Sequence, residues 1–191
     1  MLEKSLATLF ALLILATLIN RFLIWRLPEG KGGEVTLRIR TWWGIVICFS
    51  LVISGPRWMT LTFFALISFL ALKEYCTLIS VHFPRWLYWG IPLNYLLIGF
   101  NCFELFLLFI PLAGFLILAT WRVLVGDPSG FLHTVSAIFC GWIMTVFALS
   151  HAAWLLMLPT INIQGEALLV LFLLALTESN DIAQYLWGKS C

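Results

Sequence analysis

Residues 105–121 read LFLLFIPLAGFLILATW, a run of apolar side chains without a single charge. Five further stretches lack charges in the same way: 5–20, 41–56, 58–72, 86–103 and 128–165. A helix needs roughly 20 mostly apolar residues to cross a bilayer core of about 30 Å. Flanking tryptophan, arginine and lysine side chains complete the shorter stretches, because they can sit at the membrane interface. The pattern therefore predicts transmembrane helices.

The composition excludes a soluble globular domain. Hydrophobic residues make up 62% of the 191-residue chain and charged residues only 10%, whereas soluble domains carry roughly 25% charged residues. Mean hydropathy is +1.03. Such a chain cannot cover its surface in water, and lipid is the solvent that its apolar side chains need. The net charge of +2 is too small to indicate nucleic acid as a partner.

The charge-free stretches predict an all-α fold, a polytopic bundle of about seven transmembrane helices that forms a single integral membrane domain over residues 1–191. The expected spans are 5–25, 42–55, 58–72, 87–101, 104–121, 132–158 and 162–178. The first is interpreted as a retained span and not as a cleaved signal peptide. Glu3 cancels the charge of Lys4, so the positive start that a signal peptide carries is missing.

Three local features refine this prediction. Gly55 and Pro56 predict a tight turn between the second and third spans. Residues 132–158 are too long for one upright span and too short for two spans with a turn, so a single tilted helix that bends near Gly141 is expected. Asn101 and Glu104 have the spacing of a capping box at the start of the fifth span.

Lysine and arginine are distributed unevenly among the predicted loops. If the loop after the first span is cytoplasmic, alternation of the spans places nine of the 11 basic residues inside and only Lys4 and Arg57 outside. Cytoplasmic loops carry such an excess of basic residues. The N-terminus is therefore expected outside and the C-terminus in the cytoplasm. Two spans within 132–158 would move the C-terminus to the other side.

Cysteine and histidine do not predict a metal cluster. The five cysteines contain no C-x-x-C pair, and the role expected for them is that of small apolar side chains in helices. His133 and His151 are 18 residues apart, which is about 27 Å along one helix and too far for one metal ion.

Carboxylates near the predicted helix ends are stronger candidates. Glu178 and Asp181 follow the apolar part of the last span at a spacing of three, which puts both on one face of a continuing helix. Carboxylates at a cytoplasmic boundary suit Mg²⁺, which prefers oxygen ligands together with substrate phosphates. Glu74 closes the third span on the same predicted side. A solvated helix end is the alternative interpretation for all three.

Residues 180–189, NDIAQYLWGK, resemble the middle motif of the phosphatidate cytidylyltransferase family, the CDP-diglyceride synthases. That motif reads D-x-x-A-Y-x-x-G-[KR] at the cytoplasmic end of a hydrophobic helix. It is matched by Asp181, Tyr185, Gly188 and Lys189, and Gln184 stands where the family usually has alanine.

Glu74 and Tyr75 resemble a second family feature, an acid followed by an aromatic residue at the end of an early span. The whole chain resembles the N-terminal part of a bacterial member, which implies the bacterial inner (cytoplasmic) membrane as its location. The family motif continues into a basic S-P-x-K-T-like segment, and a later signature ends in G-H-G-G-x-x-D-R-x-D. Because the chain ends at Cys191, it is expected to be a truncated product or a fragment that is inactive alone.

The resemblance implies transfer of CMP from CTP to phosphatidic acid, with Mg²⁺ as the cofactor and CDP-diacylglycerol and pyrophosphate as products. It implies a catalytic and metal-binding role for Asp181 and metal binding for Glu178. Substrate binding is implied for Tyr185, Lys189 and Glu74. The expected partners are the lipid bilayer, phosphatidic acid and CTP, and a homo-oligomer is compatible with the sequence.

Two other functions stay open. A small multi-span transporter would place acids or broken helices near the middle of the membrane, whereas the acids of this chain lie at predicted helix ends. A structural membrane subunit would need no site, and it is compatible with the absence of a complete catalytic constellation.

Overall fold

The structure, a computed structural model, describes residues 2–26, 33–79, 83–125, 130–158 and 163–190. Every regular element in these ranges is helical, which confirms the all-α prediction. The α-helices are α1 (Leu2–Arg26), α2 (Gly33–Ser54), α3 (Arg57–Leu78), α4 (Gly90–Gly99), α5 (Phe103–Leu108), α6 (Phe115–Leu124), α7 (Phe131–Trp142), α8 (Ala148–Leu155) and α9 (Ile163–Ser190). A 3-10 helix (Arg85–Trp89) precedes α4, a first π-turn (Phe109–Gly114) joins α5 to α6, and a second π-turn (Ile143–Phe147) joins α7 to α8.

Four helical stretches of the described chain are long and apolar enough to cross a membrane by length and composition. They are Val35–Val52, Arg57–Leu78, Phe103–Leu124 and Phe131–Leu155, and Leu6–Phe22 and Leu168–Thr177 are shorter apolar helices. Helix α4 has only 10 residues, about 15 Å at 1.5 Å per residue and half of the bilayer core. These are the helices of a membrane protein, but the seven full spans that the sequence predicted are not clearly present.

Apolar side chains cover the outer faces of the helices. Leu18, Leu51 and Leu66 are each more than half exposed, and many other large apolar side chains are exposed as well. A monomer in water rarely exposes so much contiguous apolar surface. Hydrocarbon accepts these side chains without cost, which agrees with the prediction from composition.

The chain divides into two compact units. The first comprises Met1–Pro56 and Thr160–Cys191, and in it α1 packs against both α2 and α9. Helices α1 and α2 are antiparallel, and polar side chains join them. Asn20 Nδ2 donates to Thr36 Oγ1 over 3.0 Å, and Trp43 Nε1 donates to Thr17 Oγ1 over 3.1 Å. Hydrogen bonds of this kind help helices to associate in lipid, where burial of apolar surface supplies little driving force.

The second unit, Arg57–Pro159, is built around α3. This helix contacts α4, α7, α8 and the second π-turn. The Ser68 and Tyr95 hydroxyls share a buried hydrogen bond of 2.7 Å between α3 and α4, and the Tyr75 hydroxyl donates to the Ala137 carbonyl of α7 over 2.8 Å. The interior contains side chains with at most 1% exposure: Leu72, Leu87, Ile98, Phe106, Ile110, Leu118, Ile138 and Val146.

Two predictions about helix continuity are confirmed. Helix α2 ends at Ser54 and α3 begins at Arg57, as the glycine and proline between them indicated. Residues Phe131–Leu155 form one uninterrupted helical stretch. Its hydrogen-bond pattern changes at Ile143, two residues after Gly141, where the sequence predicted a bend.

The predicted capping box at Asn101 is wrong. Cys102 is the N-cap residue of α5, and no side chain caps this helix. Asn101 instead adopts a left-handed φ of 56° just after α4. The Cys102 N–H donates to the Leu97 carbonyl over 2.9 Å, and the Asn101 N–H donates to the Ile98 carbonyl over 3.0 Å. This pair of bonds is the Schellman arrangement, which satisfies the last carbonyls of a helix.

Candidate functional site

Helix α9 carries the polar motif directly after its apolar part. The apolar segment Leu168–Thr177 leads without a break into the residues that follow, and the helix ends only at Ser190. At 1.5 Å per residue, it extends about 20 Å beyond Thr177. The polar motif therefore lies on a continuous helix and not on a loop.

One face of this extension is exposed. The exposed residues are Asn180, Ala183, Gln184, Trp187 and Gly188. Their spacing of three and four residues makes a single stripe along the helix. Trp187 is 76% exposed, and a Cβ added at Gly188 would meet no atom within 4 Å.

The four C-terminal candidates, Glu178, Asp181, Tyr185 and Lys189, lie on another face of the same helix. At about 100° per residue, their backbone positions fall within an arc of about 80°, centred about 130° away from the exposed stripe. Their side chains lie outside the described part of the structure. The helix thus brings all four residues to one face, which extends the shared face predicted for Glu178 and Asp181.

Glu74 belongs to the second unit, whereas the four candidates on α9 belong to the first. Its side chain is exposed near the end of α3. The Thr77 hydroxyl donates to the Glu74 backbone carbonyl over 2.7 Å and so satisfies a group of the last turn. Tyr75, which follows Glu74 in the resemblance to the family, has a packing role. Its hydroxyl donates a hydrogen bond to the Ala137 carbonyl, and its ring lies against Gly141.

The second unit has a basic end, formed by Lys73, Arg85 and Arg122. Lys73 lies in the last turns of α3, Arg85 begins the 3-10 helix and Arg122 lies in the last turn of α6. The Trp86 and Trp121 rings hold the 3-10 helix against α6, with 6.0 Å between their centroids. Arg57 begins α3 and so lies at the opposite end of this unit.

An apolar groove of about 490 Å³ opens beside this basic end. Its walls are Trp86, Leu116, Ile117, Thr120, Trp121 and Leu124. The two tryptophans adjoin Arg85 and Arg122 in the sequence. Tryptophan and arginine together are typical of the level where the hydrocarbon meets the lipid headgroups.

Sequence reasoning missed this groove. The signal that would have found it is the pair of neighbours Arg85-Trp86 and Trp121-Arg122, since both pairs lie at the ends of predicted spans. Taken separately, each pair is typical of the residues that flank any transmembrane helix at the membrane interface. Only the contact between the two rings shows that they form one surface.

The carboxylates of α9 suit Mg²⁺ by their chemistry. Magnesium is usually held by one or two carboxylates together with waters and substrate phosphates. Glu178 and Asp181 supply two carboxylates from one helix face, so the set of donors fits this ion. Among the residues whose side chains the structure describes, no group of three or more His, Cys, Asp or Glu residues is close enough to hold a metal.

Comparison with known proteins gives the family. Residues 36–191 match the cytidylyltransferase family, and the matched range includes both Glu74 and the motif on α9. The uncharacterized protein YnbB of Escherichia coli (strain K12) is 96% identical over 191 residues. The match covers 100% of this chain and 64% of that relative's length. No solved structure matches the chain. Because the family match extends over most of the chain, the chain belongs to the cytidylyltransferase family.

Proposed function

We propose that this chain supplies part of a membrane site that transfers CMP from CTP to phosphatidic acid. The observation that carries the proposal is the family match over residues 36–191, together with the shared face of Glu178, Asp181, Tyr185 and Lys189 on α9. In this reaction a phosphate oxygen of phosphatidic acid attacks the α-phosphorus of CTP. The bond to the two outer phosphates breaks, and CDP-diacylglycerol and pyrophosphate leave.

The residues on α9 have separate roles in this proposal. Glu178 and Asp181 would hold Mg²⁺, which would neutralise phosphate charge when bound. The Lys189 ammonium binds a phosphate of the nucleotide, and the Tyr185 hydroxyl donates a hydrogen bond to substrate. Positioning and charge neutralisation account for most of the catalysis in phosphoryl-type transfers. A continuous helix suits that task, because it fixes its groups relative to one another.

The groove at the basic end of the second unit is an argument for a lipid substrate. Its apolar walls fit an acyl chain, and Arg85, which is exposed, lies where a lipid phosphate would sit. Arginine binds phosphate through two parallel N–H donors. Glu74 lies at the same end of this unit, and we assign it to substrate binding next to the headgroup.

We further propose a multi-pass protein of the bacterial inner membrane, with the N-terminus outside and the C-terminus in the cytoplasm. CTP is a cytoplasmic polyanion, so the site must open to that side. The grouping of Lys73, Arg85 and Arg122 at one end of the second unit supports this orientation, because basic residues collect on the cytoplasmic side of a membrane.

Removal of the Asp181 carboxylate tests the proposal. A full-length protein in which this chain replaces the matching part of YnbB, and its Asp181→Ala variant, are purified and assayed with labelled CTP, phosphatidic acid and Mg²⁺, and CDP-diacylglycerol is measured. We expect the variant to be at least about 100-fold slower, since even an outer partner of a metal ligand contributes up to that factor.

Asn180→Ala is the matched control, because Asn180 is the neighbouring residue on the exposed stripe. Its activity should stay within about twofold of the parent, as is usual for surface substitutions. Full activity of Asp181→Ala would refute the role of this carboxylate. If the parent protein forms no CDP-diacylglycerol in this assay, phosphatidic acid is refuted as the substrate.

A further inference from the structure

Asn94 is a buried polar residue in the interior of the second unit. It lies in α4 with 0% of its side chain exposed. Neither Nδ2 nor Oδ1 has a hydrogen-bond partner among the described residues. Burying an amide without partners is costly, because the hydrogen bonds that it makes to water are lost and not replaced. A native interior usually provides partners for such a group.

Trp142 presents a second buried donor of the same kind. The side chain is 4% exposed, and its Nε1 has no hydrogen-bond partner in the described part of the chain. The indole lies between two glycines, Gly90 of α4 and Gly114 of the first π-turn. A Cβ added to either glycine would come within 2.7 Å of a ring atom.

Trp142 packs against the face of α4 that carries Asn94. The ring edge that faces Gly90 includes Cε2, the atom bonded to Nε1. Asn94 follows Gly90 by four residues, one helical turn, and therefore lies on the same face of α4. Side chains on a helix lean toward its N-terminus, so the Asn94 amide leans toward Gly90 and the indole.

We propose that a water molecule binds between the Asn94 carboxamide and the Trp142 Nε1–H. Water both donates and accepts, so it can accept from the indole N–H and pair with either end of the carboxamide. Buried waters typically make about three hydrogen bonds to groups that otherwise lack partners. This water links α4 to α7, and both π-turns adjoin Trp142, the first through Gly114 and the second at Ile143. Such turns are often found at specialised positions in helices.

The chemistry of the two side chains favours water over an ion. Indole offers one donor and no acceptor, and the carboxamide offers two N–H donors and one oxygen. A cation would have one oxygen ligand and would face several N–H groups. An anion would bring a net charge into the interior, which is far more costly than a neutral molecule.

The test is nuclear magnetic resonance of the full chain in lipid nanodiscs with ¹⁵N-labelled tryptophan. The indole resonance of Trp142 is assigned by its loss in Trp142→Phe. We expect a cross-relaxation peak between this indole N–H and water, with the sign of a water that stays bound for longer than the tumbling time. The same peak should be lost in Asn94→Leu, which keeps the size of the side chain and removes both polar atoms.

Ser150→Ala is the control, because Ser150 is a buried hydroxyl bonded to the Phe147 carbonyl in the same unit. The water peak of Trp142 should persist in this variant. A parent protein without the water peak would overturn the proposal. So would a direct contact between the indole N–H and the Asn94 amide at hydrogen-bond distance. If Asn94→Leu does not fold, the parent spectrum still decides between these outcomes.

Discussion

Asn101 illustrates, at the scale of one residue, how a local pattern has two meanings. Asparagine is favoured as an N-cap, and it also tolerates the left-handed conformation better than most residues. The sequence with Glu104 three residues later indicated the first role. The structure assigns the second, because the chain must close α4 before α5 can begin. Glu104 remains in the first turn of α5, where an acid is favoured by the helix dipole.

Asn101→Ala should lower the free energy of unfolding by about 1–2 kcal/mol, the cost of a left-handed backbone for a residue with a Cβ and no local hydrogen bond. Asn101→Gly should be neutral or slightly stabilising, since glycine adopts this φ without steric cost. Unfolding in detergent, followed by circular dichroism, measures both. Glu104→Gln is the control and should cost less than about 1 kcal/mol. An equal loss of unfolding free energy for Glu104→Gln and Asn101→Ala would support the capping box instead.

At the scale of helices, contacts with neighbouring helices decide whether a glycine can be replaced by a larger residue. Gly44 lies in the interior of α2, and a Cβ there would meet nothing within 4 Å. Gly90 begins α4, and a Cβ there would approach Cζ2 of Trp142 to 2.7 Å. The two residues look alike in the sequence, since both follow tryptophan and precede isoleucine.

Gly44→Ala and Gly90→Ala should therefore shift stability in opposite directions. Alanine at position 44 should raise the free energy of unfolding by about 0.5–1 kcal/mol, because glycine weakens a helix interior. Alanine at position 90 should lower it by about 1–3 kcal/mol, the usual cost of overfilling a packed core. Thermal unfolding of both variants in the same detergent is the measurement. Stabilisation by Gly90→Ala would show that the indole does not occupy this position.

On α9, one feature of the candidate site follows from the sequence spacing and another is known only from the structure. The shared face of Glu178, Asp181, Tyr185 and Lys189 follows from spacing alone once the helix continues. That it does continue to Ser190 is a structural result, because a polar stretch after an apolar span is also compatible with a loop. Glu74 has no such regular relation to these residues, and its position depends on the packing of another unit.

At the scale of the whole molecule, the two ends of the second unit differ in their number of basic residues. Lys73 and Arg85 lie at one end and Arg57 at the other. Basic residues are retained on the cytoplasmic side of a membrane, so the distribution of charge predicts that the end with Lys73 and Arg85 faces the cytoplasm.

Labelling from one side of the membrane tests this orientation. In a chain whose five native cysteines are replaced by serine, a single Arg57→Cys should react with an impermeant maleimide from the periplasmic side. A single Arg85→Cys should react only after the membrane is opened. Labelling of both positions from the same side would contradict the arrangement of α3, and the reverse pattern would contradict the proposed location of the site.

The sequence by itself determined the class of fold, the apolar stretches that form its helices and the residues of the C-terminal motif. Helices in lipid must satisfy their backbone hydrogen bonds within the segment, so a run such as residues 105–121 forms a helix whatever surrounds it. Motif spacing on α9 is local in the same sense, and the family was recognisable from it.

Only the tertiary structure decided which surfaces meet. The short α4, the left-handed Asn101, the indole of Trp142 between Gly90 and Gly114, and the contact of Trp86 with Trp121 all depend on partners distant in the chain. Lipid is as apolar as the helix faces themselves, so hydrophobicity does not select one pairing over another. Close packing and a few polar contacts make that selection, and their partners are not adjacent in the sequence.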